Sequence, residues 1–201
     1  MKKYTTIAFD MGNTVIRFDH NISAEKIARL SELKHKEIYD MFFESDITIA
    51  FEKGEISTYE FHEKACRRLG VDVPYEKFIE IWNDIFWEDE GSCEIVRELK
   101  GKYRLILLSN VNRLHFEYIE KKFDIIKEFD ELVLSYVVGA MKPDKKIYDD
   151  VVRRVDGDRD GILYIDDRAD LVKAASELGI DSVRFETAEK LRDMLRFKKV
   201  I

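Results

Sequence analysis

Glutamine is absent from this 201-residue chain, and cysteine and proline occur only twice each. The two cysteines, Cys66 and Cys93, lie far apart and outside any CxxC or Cys/His spacing, which excludes a disulfide framework and a structural zinc site. They read as inert thiols in a reducing compartment, so the expected location is cytoplasmic. With prolines only at 74 and 143, and no Gly- or Ser-rich tract, nothing reads as a linker, a repeat or a low-complexity segment. Long hydrophobic runs are missing too. The N-terminus lacks the apolar stretch of a secretion signal, and no segment is expected to span a membrane. Charge of one sign is also scarce in blocks: the net charge of −7 comes from interspersed acids and bases, which argues for solubility and against nucleic acid as a partner. High charge with few amides suits a protein stable in the heat.

What is present is a series of short apolar runs. Tyr4 to Phe9 is β-branched and aromatic and stops abruptly at Asp10-Met11-Gly12-Asn13, which reads as a buried strand followed by a turn. Similar runs recur at Arg104–Leu108, Glu131–Ser135, Ile162–Ile165 and Ser182–Phe185, with helical periodicity between them. That alternation predicts an α/β fold built on a doubly wound, parallel, Rossmann-like sheet, and such sheets place their sites at the carboxyl ends of the strands. Pro143 suits a first helical position, Gly179 a C-terminal cap and Thr187 an N-cap before Ala188–Leu195.

Between the first strand and Arg104 the spacing predicts helices and no strand: Ala24–Leu33, Lys36–Phe43, Thr58–Leu69, Tyr75–Trp87 and Cys93–Lys100. Ser57 with Glu60 makes a capping box, and Pro74 starts the next helix. The aromatic residues Phe42, Phe43, Phe51, Phe61, Phe78, Trp82, Phe86 and Trp87 recur at helical intervals and read mainly as core. Residues 1–17 and 90–201 are therefore expected to form the sheet domain, with 18–89 a helical insertion placed to roof the strand tips.

Four polar groups fall at those tips: Asp10; Ser109-Asn110; Lys142-Pro143; and Asp166-Asp167 with Asp170. Taken singly, each has an ordinary explanation as a turn, a cap or a solvated loop residue. A parallel sheet brings them together, however, and clustered carboxylates repel unless a cation neutralises them. An oxygen-seeking Mg²⁺ between Asp10 and Asp167 meets that need. Phosphoryl transfer then gives each group a task. Asp10 is the nucleophile, and Lys142 neutralises the transferring oxygens. The Ser109 hydroxyl, the Asn110 amide and the backbone N–H groups of Met11 and Gly12 hold those oxygens.

Asp10-Met11-Gly12-Asn13-Thr14, Ser109-Asn110, Lys142-Pro143 and Asp166-Asp167 resemble, in order and separation, the four motifs of the haloacid dehalogenase superfamily, over about Phe9 to Gly179. The resemblance implies a small helical cap closing over a small-molecule phosphate ester, in a monomer or homodimer. The first motif and the run Ser109 to His115 are most similar to the branch containing bacterial α-D-glucose-1-phosphate phosphatase, which implies sugar phosphates as substrates. It further implies metal ligation by Asp10, Asp167 and the Gly12 carbonyl, with Asp166 and Asp170 behind them.

Two departures stand out. The family's second aspartate, two residues after the nucleophile, protonates the leaving alcohol and then activates water; here that position is Gly12. Asp19 and His20 follow closely enough to qualify as substitutes, although His20, His35, His62 and His115 otherwise read as surface or packing residues. In the last motif Asp170 comes earlier than the usual trailing acid, and Leu171 stands near its expected place. Two rival activities share this pattern: a metal-free dehalogenase, against which the paired acids argue, and a phospho-accepting regulatory module, whose motif order is the reverse of this one.

Overall fold

The computed structural model describes residues 3–43 and 45–201, with the side chains of 41–43 outside the description. In chain order the elements are β1 (Thr6–Phe9), β2 (Ile16–Phe18), α1 (His20–Ala28), α2 (His35–Phe43), α3 (Asp46–Glu52), α4 (Thr58–Leu69), α5 (Tyr75–Asn83) and β3 (Phe86–Glu88). There follow α6 (Glu90–Leu99), β4 (Arg104–Ser109), α7 (Arg113–Lys122), a 3₁₀ turn (Asp124–Glu128), β5 (Glu131–Leu134) and α8 (Ser135–Val138). The chain ends with α9 (Lys145–Arg154), β6 (Ile162–Asp166), α10 (Ala169–Glu177), β7 (Asp181–Arg184) and α11 (Ala188–Phe197).

Five strands form one parallel sheet in the order β5-β4-β1-β6-β7. From the central β1 the path goes out to β4 and β5 on one side and returns to β6 and β7 on the other. This is the doubly wound arrangement, and its direction reverses at the tip of β1. Strand side chains alternate in direction. Ile7, Phe9, Leu105, Leu107, Leu163 and Ile165 therefore pack on one face with Ile95, Val96 and Leu99 of α6 and Leu191 and Leu195 of α11. Ala8, Ile106, Leu108, Ile162 and Tyr164 pack on the other, with Ile147, Tyr148 and Val151 of α9 and Ala175 of α10. With both faces covered, each fully buried aliphatic side chain contributes roughly 1.5–3 kcal/mol, which is why these strands read as apolar runs.

Helices α1 to α5 share a separate cluster in which Phe51 stacks on Phe61 at 4.3 Å and Trp82 leans on Phe61 at 4.9 Å. The expected Ser57–Glu60 capping box is present: Ser57 Oγ accepts from the Glu60 N–H at 3.2 Å, and Glu60 Oε2 from the Ser57 N–H at 2.8 Å. Gly179 follows α10 with a φ of 81°, a conformation that favours glycine, and Thr187 caps α11.

Several expectations are corrected. A two-stranded antiparallel ribbon, β2 with β3, stands where no strand was expected, at the crossing between the sheet and α1–α5. Each strand has only three residues, too few to display a period. The helix expected over Tyr75–Trp87 ends at Asn83, and β3 follows with strand alternation: Phe86 is buried while Trp87 is 47% exposed. Trp87 is therefore not core, whereas Phe51, Phe61, Phe78 and Trp82 are. Phe42 and Phe43 have side chains outside the described residues. Helix α3 was not anticipated, and Pro143 precedes its helix, whose N-cap is Asp144.

Candidate active site

β1, β4 and β6 lie side by side, with Phe9 in register with both Leu107 and Ile165. Asp10 and Asp166, the residues that follow Phe9 and Ile165, therefore emerge at one edge, and Asp10 is fixed there by its own N–H, which donates to the Ile165 carbonyl at 2.8 Å. Among the described residues, Asp10, Asp166 and Asp167 form a group suited to a metal, with one oxygen from each lying within 4.8 Å of the others.

Lys142 reaches into this edge from the loop before α9. Its ammonium donates to Asp10 Oδ1 at 2.6 Å and Asp166 Oδ2 at 2.7 Å, and further to the Tyr164 hydroxyl at 3.0 Å and the Leu108 carbonyl at 3.2 Å. Tyr164 in turn donates to Asp166 Oδ2. The other Asp166 oxygen accepts the Arg168 N–H at 2.9 Å. The loop carrying Lys142 is held by Asn110, whose side-chain carbonyl accepts the Lys142 N–H at 2.7 Å and whose amide donates to the Lys142 carbonyl at 2.9 Å.

Burial and charge set the protonation here. Burial pushes Asp10 up to about 7, with Asp166 and Asp167 adding to the rise and Lys142 opposing it. Burial works against the Lys142 ammonium, but Asp10 and Asp166 outweigh it and raise its pKa, so the cation persists. Burial and Asp166 also raise Asp167. Three carboxylates facing one ammonium leave a formal excess of two negative charges when all are ionised. Oxygen donors with that excess fit a hard divalent cation.

The sequence-predicted residues separate into those the structure brings together and those it does not. Asp10, Lys142, Asp166 and Asp167 converge. Met11, Gly12, Ser109 and Asn110 line a cavity of about 70 Å³ beside them, together with Phe18, His20, Glu52 and Phe86. Met11 also shapes the turn after Asp10, its carbonyl accepting the N–H groups of Val15 and Ile16, each at 2.9 Å. Asp170 does not join the cluster: its exposed carboxylate pairs with Arg168 at 2.6 Å, because the first turn of α10 directs it to solvent. The Asn110 amide is engaged in holding the Lys142 loop, a structural task its sequence position did not disclose. Asp19 caps α1 by accepting the Asn21 N–H at 2.9 Å. His115 is a packing residue, its Nε2 3.1 Å from the Trp82 carbonyl and its ring stacked on Trp82.

Two residues escaped the sequence reading. Tyr164 stands two before Asp166, hence on the same side of β6, and period two alone could have found it. Glu52 ends α3, which was not anticipated although Ser45 offers an N-cap and Asp46 an acid in the first turn.

Comparison with known proteins agrees with this architecture. Residues 4–179 match the family model described as haloacid dehalogenase-like hydrolase. The chain is 24% identical over 196 residues to a D-ribitol-5-phosphate phosphatase of Bacteroides thetaiotaomicron, covering 94% of this chain and 95% of that protein. It is 26% identical to flavin mononucleotide hydrolase 1 of Arabidopsis thaliana, covering 94% and 76% respectively. Among solved structures, the magnesium complex of the enzyme BT-2542 from Bacteroides thetaiotaomicron superposes with a TM-score of 0.85 at 25% identity, covering 97% of this chain and all of that one. The L-2-haloacid dehalogenase of Xanthobacter autotrophicus shares the fold at 15% identity, with a TM-score of 0.67 over 96% of this chain and 82% of its own. The chain belongs to the haloacid dehalogenase-like hydrolase family.

Proposed function

We propose that this protein is a magnesium-dependent phosphatase of small phosphate monoesters, sugar and polyol phosphates among them, with Asp10 as the nucleophile that carries the phosphoryl group between ester and water. The observation that carries this reading is the Lys142 ammonium seated between Asp10 and Asp166 beside a third carboxylate, Asp167. A metal-free dehalogenase has no use for that surplus of carboxylates.

The residues fit Mg²⁺, with Asp10, Asp167 and the Gly12 carbonyl as its holders; bound there it would supply Lewis-acid neutralisation of the phosphoryl oxygens. The rest is the chain's own work. Lys142 pins one Asp10 oxygen, which orients the carboxylate for in-line attack on phosphorus. The same ammonium, the Ser109 hydroxyl and the N–H groups of Met11 and Gly12 stabilise charge on the transferring oxygens. Tyr164 and Arg168 hold Asp166, which in turn holds Lys142. Residues 18–89 act as the cap in this reading. A cavity of about 70 Å³ admits a phosphoryl group but not a sugar, so the cap must open for substrate to enter. The D-ribitol-5-phosphate phosphatase relative supports polyol phosphates, and glucose-1-phosphate stays in the same class. Two unpaired, buried cysteines suit a reducing cytosol.

Phosphate release from a panel of phosphorylated sugars and polyols, with Mg²⁺ and with chelator, tests the reading. The expected result is turnover that needs the ion and disappears in Asp10→Asn. Turnover that survives either change overturns it.

A further inference from the structure

The proposed reaction leaves one proton without an owner. An alkoxide leaving a phosphorus atom needs an acid, and the water that follows needs a base, together worth roughly 10²–10⁴-fold in rate. Gly12 has no group to offer, and the space its side chain would enter is filled: a Cβ built there stands 2.9 Å from Phe18 Cε1. The two neighbours in sequence are otherwise engaged. Asp19 is half-buried with one oxygen capping α1, and burial drives His20 down to about 4, leaving a neutral ring with no acidic proton to give.

The remaining titratable side chain in the wall of the cavity with a proton to exchange is Glu52, at the end of α3. It lines, together with Met11, Gly12, Ser109 and Asn110, one cavity of about 70 Å³, little more than the volume of two waters. In so small a space a bound ester oxygen is close to every residue of the lining. No described residue donates a hydrogen bond to the Glu52 carboxylate, although the residue itself is held firmly: Ser135 Oγ donates to its carbonyl at 2.7 Å while accepting the Val111 N–H at 2.9 Å. Val111 lies two residues beyond Ser109, so Glu52 is tied to the loop that brings Ser109 and Asn110 into the same cavity.

We propose that Glu52 is the acid and base of this site, supplied by the helical insertion in place of the side chain that Gly12 lacks. This rests on the phosphatase reading above. As an Asp10 oxygen bonds to phosphorus, the ester P–O bond breaks and its electron pair departs with the leaving oxygen, which takes the Glu52 proton. The Glu52 carboxylate then takes a proton from water as the water oxygen bonds to phosphorus, and the bond to Asp10 breaks. Asp10 and Glu52 both return to their starting forms. Burial raises Glu52 to about 7, with Arg168 as the opposing charge, so acid and base forms are both accessible near neutrality.

A series of aryl phosphates whose leaving phenols differ in acidity tests this without knowledge of the natural substrate. Dinitrophenolate departs unaided, whereas phenolate needs a proton. Glu52→Gln, which keeps the shape and loses the acid, is expected to lower the single-turnover rate of phenol release from phenyl phosphate about 10²-fold or more and that of dinitrophenolate release from 2,4-dinitrophenyl phosphate by less than about 3-fold, while the later water step, common to both esters, slows equally for each. Retained release from the dinitrophenyl ester also shows that the variant is folded. Equal losses of release from both esters, or no loss on either, overturn the assignment while the phosphatase reading stands. If the wild-type protein with Mg²⁺ releases phosphate from neither ester, the phosphatase reading falls and takes the assignment with it.

Discussion

Replacing Lys142 with methionine isolates what the buried ammonium contributes to the fold. The side chain is 1% exposed, and its ammonium touches two carboxylates, a phenol and a backbone carbonyl within 3.2 Å. Methionine fills nearly the same volume, so packing changes little, but Asp10 and Asp166 are left facing each other with no cation between them. Removing one partner of a buried ion pair costs about 3–5 kcal/mol. In a protein of this length a kilocalorie moves Tm by about 2–4 °C, so the expected drop is about 6–20 °C in chelator at neutral pH. Thermal unfolding followed by circular dichroism measures it. Two additions sharpen the test. Asp166→Asn in the Lys142→Met background should recover part of the loss, since it removes one uncompensated charge, and Mg²⁺ should raise Tm more in Lys142→Met than in wild type. A drop below about 2 °C, or an Asp166→Asn effect that simply adds to it, would refute the view that this ammonium compensates the site.

Two further outcomes follow from contacts at the same edge. Gly12→Ala places a methyl group 2.9 Å from the Phe18 ring and should cost about 1–3 kcal/mol in a denaturant melt, most of it regained by Phe18→Leu in the double variant; a neutral Gly12→Ala would show that the ring yields freely. His20 is held neutral, its folded pKa of about 4 lying below the ordinary 6.5, so the unfolded chain binds protons first as pH falls. Stability is full above about 6.5 and is lost toward the folded value, by on the order of 2 kcal/mol between about pH 6.5 and 5, and His20→Leu should flatten the slope of stability against pH in that window. An unchanged slope would place the acid sensitivity elsewhere.

The strand tips were legible in the sequence because their signal is local. A strand buried on both faces must be apolar throughout, so a run such as Leu105–Leu108 announces itself, and the first polar residue after it marks the edge where a parallel sheet gathers its chemistry. Asp10, Ser109 and Asp166 were visible for that reason, and Lys142 through its place in the ordered set. The ribbon of β2 and β3 was not visible, since three residues carry no period and its pairing joins Ile16 to Glu88 across the whole helical insertion. Trp87 was misplaced by the same contact: helical spacing put it inside, and the alternation of a strand put it out.

What a side chain does once it arrives depends on partners that sequence order does not contain. Asn110 follows Ser109 directly and Asp170 comes three residues after Asp167, yet the first spends its amide on the Lys142 loop and the second its carboxylate on Arg168. Glu52 shows the reverse. Nothing in Phe51-Glu52-Lys53-Gly54 marks a reactive group, and its place in one cavity with Gly12 depends on Ser135, the first residue of α8, which fastens the last turn of α3 to the loop after β4. In the proposed reaction, a glycine two residues after Asp10 therefore reports the absence of an acid there without reporting the one that Glu52 supplies. There the sheet edge holds the phosphoryl group, and α3 contributes Glu52 to the lining of the same cavity. Proton transfer in such a site is decided within that cavity, by residues some forty positions apart, and is read only when they are seen together.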